Sequence, residues 1–140
     1  MENVVVDTNV LLSYALKPEG TAGKALLNAM ETFNILQSNE TFLEFVDVIN
    51  RGKFGKYIPV EFRDEFVERL TNRSEFVKIS HTVERDICRD EKDNKFLELA
   101  VSGKAKYILS GDNDLLVIEE YKGIKILSPR GFLEREQCLA

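Results

Sequence analysis

The sequence predicts an α/β fold: a three-layer α/β/α sandwich in which helices cover both faces of a central, mainly parallel sheet of four to five strands. Two observations carry this. Short β-branched or aliphatic runs of strand length alternate with segments whose apolar residues recur at helical spacing. The chain's 140 residues, 44% apolar and 31% charged, also match the length and composition of one soluble domain, expected to span 1–140 and to bury its own core without disulfides or structural metal.

The first strand is NVVVD, ending at Asp7. A helix over Thr21 to Met30 follows, with Ala22, Ala25, Leu26 and Ala29 on one face and Thr21 as its cap. FNILQS is the second strand. The next helix carries Phe42, Phe45, Val46 and Ile49 on one stripe, opens at Thr41 and ends near Arg51-Gly52. RGKFGKYI is expected as a loop, after which Pro59 suits the first turn of a helix bearing Phe62, Phe66, Val67 and Leu70. EFVKIS, around 75–80, is a further strand candidate. Asp93 to Ser102 is helical and Gly103 is its stop. KYILS and GIKILS complete the sheet, and Ser128-Pro129 starts a last helix.

No apolar run approaches the ~20 residues that cross a bilayer, and the N-terminus lacks a basic flank before an apolar stretch. A cytoplasmic protein without membrane contact is expected. Cys88 and Cys138 stand fifty residues apart with no CxxC spacing, which favours free thiols, and His81 is the only histidine. Any metal site must therefore be built mainly from oxygen. A formal charge of −5 argues against coating nucleic acid through global attraction, but leaves room for a local basic patch.

Ligands of open parallel sheets sit beyond the carboxyl ends of the strands, where the strand order reverses. Asp7 ends one strand there, and Ser110, Asp112 and Asp114 follow another in KYILSGDND. At 100° per residue, Asp93 points with Phe96, Leu97 and Ala100 toward the sheet. Each acid also has a structural explanation: a turn at Asp-Thr-Asn, a cap in the βα loop, a carboxylate in a helix's first turn. Glu44 lies off its helix's apolar stripe, and Thr41-x-x-Glu44 has the form of a capping box. Together the acids are harder to explain structurally, because two carboxylates ~4 Å apart repel by about 4 kcal/mol at an effective dielectric of ~20. A dication removes that cost. Oxygen ligands without histidine or cysteine select Mg²⁺ or Mn²⁺, which suit phosphoryl chemistry.

VVVDTNVLLSYAL, SNETFLEFVDVI and RDEKDNKFLELAVSGKAKYILSGDNDLL resemble, in order and over nearly the whole chain, the PIN-domain nucleases, most closely the VapC-like group of toxin-antitoxin toxins. The resemblance implies an α/β/α fold and Mg²⁺- or Mn²⁺-dependent endonucleolytic cleavage of RNA by an activated water. Position by position it implies catalytic roles for Asp7, Glu44, Asp93 and Asp112, so that Glu44 passes from capping residue to site residue. Metal contact falls to Asp7, Asp93 and Asp112, with Asp114 on a further acidic position, and Thr8, Asn9 and Ser110 would hold the carboxylates in place, Ser110 standing where threonine is commoner. A small antitoxin and a homodimer are the partners it implies. RNA could meet Arg51, Lys53 and Lys56, with Phe54 or Tyr57 under a base, unless those aromatics tuck into the core.

Three rivals share parts of this pattern. A haloacid-dehalogenase-like phosphatase also begins with a strand-end aspartate but needs an acid two residues on, where this chain has Asn9. A receiver domain needs an aspartate ending its third strand, which EFVKISHT lacks. A catalytically silent PIN scaffold, binding RNA or a protein without cutting, would not need all four acidic positions filled.

Overall fold

The computed structural model describes residues 1–84 and 87–139, the side chains of 137–139 excepted, and Cys138 falls within that exception. Six strands form one sheet: β1 (Asn3–Val6), β2 (Asn34–Gln37), β3 (Ser74–Phe76), β4 (Ala105–Leu109), β5 (Glu120–Tyr121) and β6 (Ile124–Leu127). Their order is β3-β2-β1-β4-β6-β5, with every pairing parallel except β5 on β6. The chain moves outward from β1 through β2 to β3, then returns to build β4 and β6 on the other side. The order therefore reverses between β1 and β4, the two strands that carry the acidic motifs.

Both faces are covered because strand residues alternate sides. Val4 and Val6 of β1, with Ile35, Tyr107 and Leu109, enter a cluster formed with helices α1 (Thr8–Leu16), α2 (Thr21–Thr32), α3 (Asn39–Ile49), α5 (Val60–Arg73) and α8 (Pro129–Leu139). Val5, Leu36, Ile108 and Ile126 face the opposite layer, where Phe96, Leu97, Leu99 and Ala100 of α6 (Asn94–Ser102) cover them. Val4 and Val5 have no solvent exposure, and each such side chain contributes about 1.5–3 kcal/mol as an upper estimate. A triple-valine strand is legible for this reason: it is buried on both faces.

Several local expectations shift. The run after Asp7, to which the sequence pattern assigns no element, forms α1. Gly20, not Thr21, occupies the N-cap of α2, with no side-chain cap bond. RGKFGKYI is not a plain loop, because Gly52–Gly55 makes a helical turn, α4, from which Phe54 packs on the core while Tyr57 stays exposed. EFVKIS is a strand only up to Phe76, with Val77 adding one further bond to Gln37. A short turn, α7 (Asn113–Leu116), precedes the two-residue β5, a strand too brief to show a period and the addition to the expected four to five.

Alpha3 begins earlier than Thr41. Ser38 is its N-cap and takes the Thr41 N–H at 3.1 Å, while the Thr41 hydroxyl takes the Ser38 N–H at 2.9 Å. The capping box is thus Ser38 with Thr41, and Glu44 has no part in it.

Gly103 does close α6, though its φ is −97°; the left-handed residue is Lys104, at φ 56°. What requires glycine is space: a Cβ would come within 2.4 Å of buried Leu36 Cδ1 and 3.3 Å of Val77 Cγ2. Gly103→Ala is therefore expected to cost about 1–3 kcal/mol by overpacking, read as a lower urea midpoint with an unchanged slope. An unchanged midpoint contradicts the contact.

Candidate active site

Register builds the site. Val6 pairs with Leu109, so the next residues, Asp7 and Ser110, emerge side by side at the carboxyl ends of β1 and β4. The Asp7 N–H bonds the Leu109 carbonyl at 2.9 Å and the Ser110 N–H bonds that of Leu127 at 3.0 Å, so both residues are held as ladder extensions. The Ser110 hydroxyl donates to Asp7 Oδ2 at 2.7 Å and accepts the Asp112 N–H at 3.0 Å, tying the two acidic loops through one oxygen.

Asp7 is 3% exposed. Its Oδ1 takes the Asn9 N–H at 3.3 Å, so it caps α1 while its other oxygen serves the loop after β4. The turn explanation holds for this residue, and its second oxygen is also tied to the loop after β4. Asn9 meets Asp7 through its backbone N–H, while its carboxamide is exposed. Thr8 is buried as the first residue of α1. Asp112 repeats the pattern: it caps α7, its Oδ1 taking the Asp114 N–H at 2.9 Å.

Asp93 behaves differently. It ends a 3-10 turn, Glu91–Asp93, at the N-cap of α6, yet makes no side-chain cap bond. Its Oδ2 is buried without a hydrogen-bond partner. Capping therefore does not explain it, since an orphaned buried polar atom costs about 1–3 kcal/mol. Asp93, Asp112 and Asp114 each bring one oxygen within 4.8 Å of the others. Asp7 is not one of these three, but its charge is felt at Asp93.

Two of the carboxyl groups, Asp93 and Asp7, hold their protons above the ordinary carboxylate range. Burial and then the adjoining Asp112 hold the Asp93 acid up to about 7. Asp7 is also pushed above its usual range by burial, which the Ser110 and Asn9 bonds partly offset and the charges of Asp112 and Glu44 reinforce. Nearby Cys88, buried and facing Asp93, Asp112 and Asp114, has its thiol pushed up to about 11.

Glu44 reaches this region from α3 and forms an ion pair with Lys95 of α6, whose ammonium also donates to the Lys92 carbonyl. Lys95 is 8% exposed. Sequence reasoning missed it; the available signal was position, since Lys95 adjoins Phe96 and Leu97 on the inward stretch of α6. Arg89 lies 3.9 Å from Asp114. The proposed RNA contacts stand apart in character: Arg51 pairs with Asp47 at 2.9 Å, Lys53 lies over the Phe54 ring at 5.0 Å, and all three cations, Lys56 included, are exposed.

The donor set fits a hard divalent cation: carboxylate oxygens of Asp93, Asp112 and Asp114 converge, Asp93 also has a buried oxygen without a partner, and among the described residues no imidazole or thiolate belongs to the cluster.

A mainly parallel sheet with helices on both faces and an acidic pocket at its switch point is the architecture of a PIN-like α/β/α protein. Residues 3–114 match the PIN domain family, and the chain belongs to it. Uncharacterized protein MJ1680 of Methanocaldococcus jannaschii is 31% identical over 141 aligned residues, covering 94% of this chain and 89% of that protein. Among solved structures, PAE2754 from Pyrobaculum aerophilum superposes with a TM-score of 0.66 at 15% identity, over 98% of this chain and 90% of that one. VapBC2 from Rickettsia felis, bound to a DNA fragment from its promoter, gives 0.57 at 12% identity, over 90% of this chain and 98% of that one. These two likenesses concern the fold. The phosphatase and receiver alternatives give way to the PIN assignment.

The raised Asp93 pKa has a signed consequence. In the metal-free protein the folded state holds this proton more tightly than the unfolded chain, so the stabilisation is complete below the ordinary carboxylate range and lost as pH rises through about 7. Compared with Asp93→Asn, the wild type should therefore lose relative stability from about pH 4 to about pH 7 and level off above that, measured by urea unfolding in chelator. A constant difference across this interval contradicts the coupling.

Proposed function

We propose that the chain, as a single domain over 1–140, is a Mg²⁺- or Mn²⁺-dependent endoribonuclease and the VapC-like toxin of a toxin-antitoxin pair, acting in the cytoplasm. The observation that carries the reading is the buried, unpartnered Asp93 oxygen among converging carboxylates at the β1–β4 switch point of a PIN domain. The fold likeness to VapBC2 supports a small antitoxin as partner. A homodimer belongs to the same reading. Among the described residues no helix is long and apolar enough to cross a membrane.

In this reading Asp7, Asp93, Asp112 and Asp114 would hold the cation. When bound, it supplies a water of lowered pKa and offsets charge on the phosphodiester. Ser110 orients Asp7 through its hydroxyl and fixes the Asp112 loop by accepting its N–H, as outer partners do in metal sites. Thr8 and Asn9 form the start of α1, whose Asn9 N–H fixes the second Asp7 oxygen. Glu44 stands at the pocket with its charge directed to Asp7 and completes the acidic set or aids the attacking water. RNA strands would be drawn along exposed Arg51, Lys53 and Lys56, with the exposed Tyr57 ring available to an unstacked base.

Wild-type protein with Mn²⁺ should cleave single-stranded RNA. Asp7→Asn and Asp93→Asn should each reduce the rate by more than the roughly 100-fold that loss of an outer partner costs. Intact RNA after incubation with folded wild type and Mn²⁺ favours the silent scaffold, and full activity in either variant removes that residue from the site.

A further inference from the structure

Among the described residues Lys95 is the lysine the fold buries, and a buried ammonium is costly unless its charge and protons are matched. Its ammonium joins three segments. Glu44 belongs to α3, the Lys92 carbonyl belongs to the 3-10 turn immediately before Asp93, and Lys95 itself sits one residue into α6. The ammonium also lies 5.2 Å from the centre of the Phe96 ring, which lines the core beneath α6. A surface lysine at this position of a nine-residue helix would serve no such junction.

The geometry has a direct effect on the acids. Lys92 precedes Asp93, so holding its carbonyl fixes the backbone from which the Asp93 side chain projects. Asp93 needs that support, because its carboxylate makes no cap bond of its own. Glu44 would otherwise add an unpaired carboxylate near Asp7. Paired with Lys95, it is held at one edge of the pocket, where its charge still reaches Asp7.

We infer that Lys95 is a positioning residue that clamps Glu44 of α3 to the Asp93 turn of α6, setting the spacing of the acidic pocket. The inference rests on the nuclease reading for its kinetic consequence, but the clamp itself is a statement about this chain's own residues. It differs from a purely electrostatic role in a measurable way. Deleting a positive charge beside a cation site tightens cation binding if charge is all that matters; deleting a clamp loosens it.

The test uses the full chain and four variants: Lys95→Met, Lys95→Arg, Glu44→Gln and the double variant K95M/E44Q. Mn²⁺ affinity by titration calorimetry, cleavage of a single-stranded RNA and urea unfolding are measured on each. Lys95→Met should weaken Mn²⁺ binding about tenfold and lower kcat about tenfold to 100-fold, with KM for RNA changed by less than about threefold. Lys95→Arg, which keeps the cation, should recover part of both losses. The double variant should be more stable than Lys95→Met, because Glu44 no longer carries an unpaired charge. Tighter Mn²⁺ binding in Lys95→Met, or affinity and kcat at wild-type values, overturns the clamp. If Lys95→Met does not fold, a folded double variant supports it, and failure of both reduces Lys95 to packing and overturns it. A wild type that binds Mn²⁺ yet cuts no RNA defeats the nuclease reading alone, and the affinity and stability comparisons still decide the clamp.

Discussion

Parallel registration of β1 with β4 places Asp7 and Ser110 next to each other where both strands end, and the rest of the site is built outward from that pair. The hydroxyl between Asp7 Oδ2 and the Asp112 N–H is a short polar link in a buried location, worth more there than in water. It makes the first residue after one strand and the loop after another move as a unit. The third acid arrives from a helix on the opposite layer, held by Phe96, Leu97 and Ala100 against the sheet.

This convergence runs against the fold's own stability. Carboxylates near one another in a partly buried pocket repel, and the protein answers in three ways. Asp7 and Asp112 each spend one oxygen on a helix N-cap, Glu44 is matched by Lys95, and Asp93 holds its proton up to about 7. What is left over is the buried Asp93 oxygen with no partner. A chain selected only for stability would replace that acid with an apolar residue of similar size. Its presence there is what supports the proposal that the pocket receives a positive ligand.

Most of the framework was readable from sequence because its elements are buried on both faces or strongly amphipathic. The valine run of β1, the aliphatic runs of β2, β4 and β6, and the apolar stripe of α3 all carry enough apolar residues to set a period. What was not readable is short or depends on a boundary. Beta5 has two residues and exists only because the turn ending at Gly123, with φ 83°, folds it back on β6. Alpha4 is a single turn without a buried residue of its own. Glu44 was misread by a three-residue error in where α3 starts: with Thr41 taken as the cap it fitted a capping box, whereas the true box is Ser38 with Thr41. Only the family resemblance moved Glu44 toward the pocket. Lys95 was invisible because a lysine is ordinarily solvent-directed, and its burial depends on a partner from another helix.

The central proposal is that the pocket holds a divalent cation between the β1 and β4 strand ends and the start of α6. Anomalous scattering from a crystal soaked in Mn²⁺ tests it most directly. The account predicts a single strong anomalous peak within coordination distance of Asp93 Oδ2 and at least one oxygen of Asp112 or Asp114, with Asp7 reaching it directly or through water. A map in which that pocket is empty while Mn²⁺ occupies other carboxylates, or in which no peak lies between Asp93 and Asp112, would contradict it.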